Sequence, residues 1–321
     1  YSATLFLVMA ITQIFLTIIN GLAMGVVDLI PGISGGTLAL ITGIYGRLVN
    51  AIRCFDVKAF KLVLSGKILD FIRYVDGIFL LCLGFGIIVS IFSFARAVDY
   101  MLDTHPLLLF SFFTGVIAAS SIVIIRKIGQ WTITNYISIL FGVIVALLLS
   151  GLNEYTTPNT AGYVFLAGII GGGAMLLPGI SGSFILLLVG KYSYMINAVK
   201  ELDLDVLFVF GLGYFVGVLS FAKLLSWVLK RHFQISLLFL TGLMLGSFNK
   251  IWPWRVVENG DSGVGNDLYS RSVFPWQYEN LSNSDPQVII SIAIIISGFA
   301  LVILMHWIAS KYSSSKSLAY F

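Results

Sequence analysis

Two short runs rich in proline, glycine and serine interrupt otherwise apolar stretches of the sequence. The first run covers residues 31–37 (PGISGGT) and the second covers residues 178–183 (PGISGS). Where a helix restarts after such a break, its first backbone N–H groups lack helical partners and carry the positive end of the helix dipole. Glycine lets an anion approach this backbone closely, and hydroxyl groups add further donors. The candidate anion-binding residues are therefore Ser34, Gly35, Gly36, Thr37, Ser181, Gly182 and Ser183.

Three charged residues near these runs are further candidates. Asp28 precedes the first run and either binds a coupling cation or proton, pairs with a basic residue, or caps N–H groups of the loop. Arg47 and Lys191 follow the two runs and either contact a phosphate at the entrance or extend to the membrane surface. Three histidines and two separated cysteines favour neither a catalytic nor a metal site. No cofactor is expected, apart from coupling to protons or sodium.

The two runs belong to a longer internal duplication. They lie 147 positions apart, and with this offset residues 21–52 align with residues 168–199 at 13 identities in 32 pairs. We call residues 28–37 the first tip and residues 175–184 the second tip. A weaker echo relates the Thr-Gly pairs at 114–115 and 241–242. The repeated unit is then a broken helical hairpin followed by three spans.

The composition predicts that these elements lie in a membrane. Charged residues make up 11% of the 321, and the mean hydropathy is +0.98, whereas soluble domains carry about 25% charged residues. Five uncharged segments are each about long enough to cross a bilayer. They are residues 77–95, 106–125, 131–153, 233–249 and 286–305.

Orientation follows from the odd number of spans in each unit. Three spans after the first hairpin place the second hairpin on the opposite side of the membrane. Residues 47–76 carry six basic and three acidic residues, which marks them as cytoplasmic. Arg126-Lys127 and Lys230-Arg231 fall on the same side in this arrangement. The prediction is an inverted-topology repeat with both termini in the cytoplasm.

The fold class predicted is an all-α polytopic membrane protein with two inverted repeats, each a re-entrant hairpin followed by three transmembrane helices. Residues 1–321 form one membrane domain. Whether residues 3–20 form a separate span stays open, as does the choice for loop 251–286 between an interfacial anchor, through Trp252, Trp254 and Trp276, and a lid. The predicted boundaries are repeat one 1–153 (hairpin 14–49, cytoplasmic amphipathic segment 50–76, spans 77–97, 106–127 and 131–152) and repeat two 154–321 (hairpin 161–198, spans 206–229, 233–250 and 287–309, extracytoplasmic loop 251–286).

Broken helices in matched halves indicate a transporter with its site near the middle of the membrane. Two alternatives are an ion-coupled transporter of a small anionic solute and a membrane lipid phosphatase. The phosphatase would need a nucleophile beside a base or a metal, and no histidine or carboxylate cluster lies near either serine run. A scaffold without transport would leave the repeated polar breaks unexplained.

The run over residues 21–37 (GLAMGVVDLIPGISGGT), continued by residues 43–48, resembles the bacterial polyprenyl-phosphate transporter family, formerly a domain of unknown function. The resemblance covers essentially the whole chain. It implies a flippase that returns undecaprenyl phosphate to the cytoplasmic leaflet of the bacterial cytoplasmic membrane, so that the carrier is reused in cell-wall synthesis. The implied partners are this lipid and membrane lipids, with no nucleic acid and with homo-oligomerisation left open. The family motif falls on Asp28, Ser34, Gly35, Gly36, Thr37, Arg47, Ser181, Gly182 and Ser183.

Overall fold

The computed structural model describes residues 2–30, 34–152, 155–257, 270–282 and 284–312. The Pro-Gly-Ile part of the first tip, residues 31–33, lies outside the described residues, as do 258–269 of the predicted loop. The helices are α1 Ser2–Asp28, α2 Gly35–Ile41, α3 Tyr45–Arg53, α4 Val57–Leu64, α5 Ile68–Tyr74, α6 Gly77–Thr104, α7 Pro106–Arg126, α8 Ile133–Ser150, α9 Ala161–Met175, α10 Gly182–Leu188, α11 Tyr192–Glu201, α12 Leu204–Arg231, α13 Phe233–Gly246, α14 Phe248–Ile251, α15 Pro275–Ser282 and α16 Val288–Tyr312. Strands β1 Arg255–Val257 and β2 Ser270–Ser272 pair antiparallel.

Six of the described helices are long and apolar enough to cross a membrane. They are α1, α6, α7, α8, α12 and α16, and the bent pair α10 and α11, which turns by 109°, would make a seventh if counted as one span. A helix satisfies all its backbone groups internally, so uncharged segments of this length adopt it in lipid. The prediction of a predominantly helical, multi-pass membrane protein is confirmed.

Several spans differ from the predicted boundaries. Residues 3–20 are not a separate span, because α1 continues through them without a break to Asp28. The predicted span 233–250 is interrupted at Ser247, whose hydroxyl donates to the carbonyl oxygen of Met244 at 2.7 Å and separates α13 from α14. Helices α6 and α12 each reach 28 residues, several more than predicted.

The long helices associate in four close pairs. Helix α1 packs on α6 and α9 packs on α12, whereas α7 packs on α16 and α8 packs on α13. Glycines bring the backbones together, since a Cβ at Gly115 would collide with the carbonyl oxygen of Ile295, and one at Gly242 with that of Ile139. Small residues allow such approach where no hydrophobic force acts between helices. The last two pairs thus join the N-terminal and C-terminal halves of the chain.

Each tip lies between a longer helix and a seven-residue helix that folds back on it. Helix α2 packs on α1, and α10 packs on α9. The short helices then turn at Gly43 and Gly190, which have φ values of +78° and +65° that favour glycine. The same order of elements thus surrounds both tips.

The loop between α13 and α16 has a small core of its own. Trp254 is buried, and its indole N–H donates to the carbonyl oxygen of Pro286 at 2.8 Å, while the indole of Trp252 donates to Val273 at 2.9 Å. Trp252 and Trp254 are therefore held by the loop itself. Trp276 is exposed and stacks on Phe274.

Candidate functional site

The two tips meet directly inside the helical assembly, although more than 130 residues separate them in the chain. The contacts run from α2 and α3 to the end of α9 and the turn that follows it. Buried side chains of the first hairpin supply one partner of every bond, and backbone groups of the second tip supply the other. The Ser34 hydroxyl donates to Met175 O at 3.4 Å, the Gly179 N–H donates to Thr37 Oγ1 at 2.9 Å, and the Tyr45 hydroxyl donates to Leu176 O at 2.7 Å.

The first tip is closed by its own polar groups. The backbone N–H of Gly35 donates to Oδ1 of Asp28 at 2.6 Å, and that of Gly36 donates to Oγ of Ser34 at 3.2 Å. Ser34 and Thr37 are buried. The first backbone donors of α2 are therefore already bound to the chain's own carboxylate and hydroxyl, so Asp28 makes the capping contact that was one of its predicted alternatives.

The second tip is more open. The hydroxyls of Ser181 and Ser183 lie 2.7 Å apart and hydrogen bond to each other, and Ser183 is exposed. Unlike Ser34, Ser181 caps no backbone N–H with its side chain. The second tip borders a small pocket, lined by Ala146, Leu149, Ser150, Gly179, Ile180, Ser181, Phe184, Ser247 and Lys250.

Helix α13 supports the second tip from behind. Gly179 has a φ of +83°, and a Cβ at this position would lie 2.8 Å from the carbonyl oxygen of Leu243. Both the backbone conformation and the close approach require glycine here. The second tip is thus held between α13 on one side and the first tip on the other.

Arg47 and Lys191, the two predicted entrance cations, contact other groups. The guanidinium of Arg47 forms a two-pronged ion pair with Asp76, with N–O distances of 2.6 and 3.0 Å, and lies over the ring of Phe79. The ammonium of the fully buried Lys191 donates to the carbonyl oxygen of Thr157 at 2.6 Å and to Oδ1 of Asn159 at 2.8 Å. Among the residues that the structure describes, neither side chain makes one of these bonds to a residue of a tip.

Two residues of the site were not among the sequence candidates. Tyr45, on α3, joins the first hairpin to the second tip, and its only sequence signal was identity with Tyr192 in the duplication. Lys250 lines the pocket at the second tip. It is the first charge after an uncharged run, which in the sequence marks only the end of a span.

The two tips differ in the charged residue that each has beside it. A carboxylate, Asp28, lies on the first tip, and an ammonium, Lys250, lies at the second. Within the described part of the chain, no three His, Cys, Asp or Glu residues are placed to hold a metal ion. Hydroxyl groups can donate hydrogen bonds to an anion, and Ser181 and Ser183 supply two of them at the second tip.

Comparison with known proteins gives consistent matches. Residues 24–265, which include both tips, match the family described as undecaprenyl phosphate translocase-like. The chain is 38% identical over 298 residues to a polyprenyl-phosphate transporter of Vibrio cholerae serotype O1, covering 92% of this chain and 97% of that protein. It is 28% identical over 194 residues to a polyprenyl-phosphate transporter of Staphylococcus aureus, covering 54% of this chain and 68% of that protein. No solved structure shows significant similarity.

Proposed function

This chain belongs to the undecaprenyl phosphate translocase-like family, and we propose that it moves a polyprenyl phosphate, specifically undecaprenyl phosphate, between the leaflets of the bacterial cytoplasmic membrane. The proposed task is return of the carrier lipid to the cytoplasmic leaflet for cell-wall synthesis. Both termini are proposed to be cytoplasmic. The observation that carries this proposal is the direct contact of two polar, glycine-rich tips among apolar helices.

The physical need for such a site is clear from the substrate. A charged phosphate crosses hydrocarbon only at a very large cost in free energy, whereas the apolar polyprenyl tail is readily solvated by hydrocarbon. Donors on two adjoining tips would replace water around the head group during the crossing. The outer faces of the spanning helices are rich in exposed apolar side chains, against which the tail stays in lipid.

We further propose that the two halves are inverted repeats. Corresponding glycines, Gly115 and Gly242, make equivalent backbone contacts in the α7–α16 and α8–α13 pairs. The ammonium of Lys230 donates to Oδ1 of Asn50 at 3.2 Å, which supports a common side for two segments assigned to the cytoplasm. Inverted halves with the site between them allow exposure first to one side and then to the other.

The difference between the tips suggests the order of binding. In this structure Ser34, Gly35, Gly36 and Thr37 are buried, and the backbone N–H groups of Gly35 and Gly36 are bound to Asp28 and Ser34, while the second tip borders a pocket. The proposed cycle receives the head group at Ser181, Gly182 and Ser183. Separation of the tips then makes Ser34, Gly35, Gly36 and Thr37 available, with release of Gly35 from Asp28.

Reconstitution into liposomes tests this function. Fluorescent undecaprenyl phosphate is added with a quencher restricted to one leaflet. The protein should speed the movement of the fluorescent lipid from one leaflet to the other. Ser181→Ala and Ser34→Ala should each slow the movement, while Ser65→Ala, an exposed serine of the cytoplasmic segment, should not. Absence of protein-dependent movement would reject the lipid assignment.

A further inference from the structure

The segment that leads into helix α6 carries an exposed apolar face to which the proposed function gives no role. Helices α4 and α5 pack on each other, and we call them, with the turn between them, the surface hairpin, residues 57–74. It has four basic residues and one acidic residue. This charge was used above only to assign a side of the membrane.

The inner side of the surface hairpin is filled by a small core. Ala59 and Val75 are buried together, and the ring of Tyr74 packs against them. Oδ1 of Asp56 accepts hydrogen bonds from the backbone N–H groups of Lys58 and Ala59 at 2.9 and 3.0 Å. Its other carboxylate oxygen accepts one from the Tyr74 hydroxyl on α5 at 2.9 Å. The two short helices are therefore held in one orientation, with a defined outer side.

The outer side of the surface hairpin is apolar and exposed. Val57, Phe60 and Leu64 of α4 are three and four residues apart, so they share one face of the helix. Phe60 is 63% exposed and Leu64 is 71% exposed. Ile68 and Leu69 at the start of α5 are also exposed, Leu69 by 73%. An apolar patch of this kind is unfavourable in water, which indicates that it contacts another apolar phase.

Basic side chains border this apolar face. Lys61 lies one turn after Val57, and Lys67 directly precedes Ile68; both lysines are exposed. The apolar stem of a lysine can lie along an apolar surface while its ammonium extends into a polar layer. Apolar side chains bordered by lysines match a bilayer interface that contains acidic phospholipids, since its acyl region is apolar and its head groups are anionic.

The surface hairpin is joined directly to a membrane span. Helix α6 begins at Gly77, three residues after the end of α5. A Cβ at Gly77 would lie 3.2 Å from Cγ2 of Ile72, so α5 packs closely on the first turn of α6. The ion pair between Arg47 and Asp76 links this junction to α3.

The charges of α6 indicate where the hydrocarbon layer begins. Residues 77–95 carry no charge, whereas the rest of the helix contains Arg96, Asp99 and Asp103. At 1.5 Å per residue the uncharged part is about 28 Å long, close to the roughly 30 Å of bilayer hydrocarbon. The boundary of the hydrocarbon therefore falls near Gly77, beside the surface hairpin.

We propose that the surface hairpin lies in the cytoplasmic interface of the bilayer and binds acidic phospholipids there. Phe60, Leu64 and Leu69 enter the acyl region, while Lys61 and Lys67 contact anionic head groups such as that of phosphatidylglycerol. This contact is independent of the lipid that the protein moves. It holds the junction of α3 and α6 at a fixed depth in the membrane.

Spin labels measure the depth of the surface hairpin in the whole protein. Phe60 and Leu69 are replaced singly by cysteine in a protein whose two native cysteines are alanine, and the labelled variants are placed in vesicles containing phosphatidylglycerol. Relaxation by oxygen, which concentrates in lipid, should exceed relaxation by a water-soluble nickel chelate. A label at Phe92, an exposed residue of α6, should behave in the same way. A label at Ser284, exposed in the loop before α16, should show the opposite.

The other results of this measurement would contradict the proposal. Greater relaxation by the nickel chelate at Phe60 would place the surface hairpin in water and overturn it. Protection from both reagents would show that protein covers the apolar face and would also overturn it. Loss of that protection when the protein is diluted in lipid would identify a second copy of the chain as the cover.

Fluorescence quenching tests the charged part of the contact separately. A fluorophore at Ser65→Cys, between the two helices, is quenched by phosphatidylglycerol or phosphatidylcholine that carries a nitroxide, and phosphatidylglycerol should quench more strongly. Lys61→Gln and Lys67→Gln should each lower this local excess about fivefold, the factor expected for one basic residue near an anionic surface. Lys127→Gln, at an exposed lysine just after α7, should leave it unchanged. Equal quenching by the two lipids, or an unchanged excess in both hairpin variants, would overturn the proposal.

Discussion

One substitution tests whether the two tips separate as a unit. Tyr45→Phe removes the hydroxyl that donates to the carbonyl oxygen of Leu176 at 2.7 Å, and it leaves the buried ring in place. The two residues belong to different halves of the chain. We expect residues 176–181 to exchange their amide hydrogens faster in this variant.

The size of the effect follows from the group left without its bond. The Leu176 carbonyl would lose a hydrogen bond while still buried, which costs about 1 to 3 kcal/mol. Separation of the tips lets water reach that carbonyl and removes the cost. Since 1.4 kcal/mol corresponds to a factor of ten, the separated state should become roughly 5- to 140-fold more populated.

The assay reads a neighbouring bond rather than the one removed. The Gly179 N–H donates to Oγ1 of Thr37 at 2.9 Å, so hydrogen exchange followed by mass spectrometry reports whether this bond opens. Thr37→Val should speed the exchange directly, because it removes the acceptor. Tyr45→Phe should speed it only if the whole contact opens. Tyr136→Phe, at an exposed tyrosine of α8, is the matched control.

One result would refute the reasoning. If Tyr45→Phe lowers the thermal unfolding temperature but leaves exchange at 176–181 unchanged, the hydroxyl stabilises the fold without holding the tips together. The bonds of Tyr45 and Thr37 would then be independent. A double variant would show additive losses in that case, and non-additive losses if the contact opens as one.

Three further predictions concern other parts of the chain. Gly115→Ala and Gly242→Ala should each lower the unfolding temperature by a similar amount, because each Cβ would collide with a carbonyl oxygen of the paired helix; a large effect at one position and none at the other would contradict equivalence of the halves. Asp28→Asn should make lipid movement insensitive to proton or sodium gradients, and unchanged gradient dependence would exclude Asp28 as the coupling group. The hydrogen bond to the Asp56 carboxylate raises the pKa of the Tyr74 phenol, so Asp56→Ala should lower that pKa. The Tyr74 titration is obtained by absorbance, as the difference between proteins with and without Tyr74→Phe. This difference is measured once in the Asp56→Ala background and once with Asp56 present.

The elements of the fold could largely be predicted from the sequence because a helix that crosses lipid must be long, apolar and nearly free of charged residues. Uncharged segments of span length marked α6, α7, α8 and α16, and proline with glycine marked both breaks. The predicted start of the first hairpin was wrong, because the apolar segment there contains no charged residue that would mark where the helix begins. The break at Ser247 was missed because serine is tolerated within a span and breaks a helix only in a particular packing.

The site was harder to predict because its decisive features are tertiary. The tip residues Ser34 and Thr37 were identified, but nothing in their spacing shows that they bond to the other tip. The same limit applies to Asp28, whose partner could have been an ion, a base or a backbone group. Lys250 looks like an ordinary span-end lysine until its position over Phe184 is known.

The pairing of α7 with α16 and of α8 with α13 has a consequence for biogenesis. Helix α7 ends at residue 126, and its partner begins at residue 288, so at 5–20 residues per second roughly 8 to 32 s of synthesis separate them. During this time the glycine face of α7 meets lipid, which costs little because no hydrophobic force drives helices together. Assembly of the first half therefore waits for translation of the second, and neither half is complete when expressed by itself.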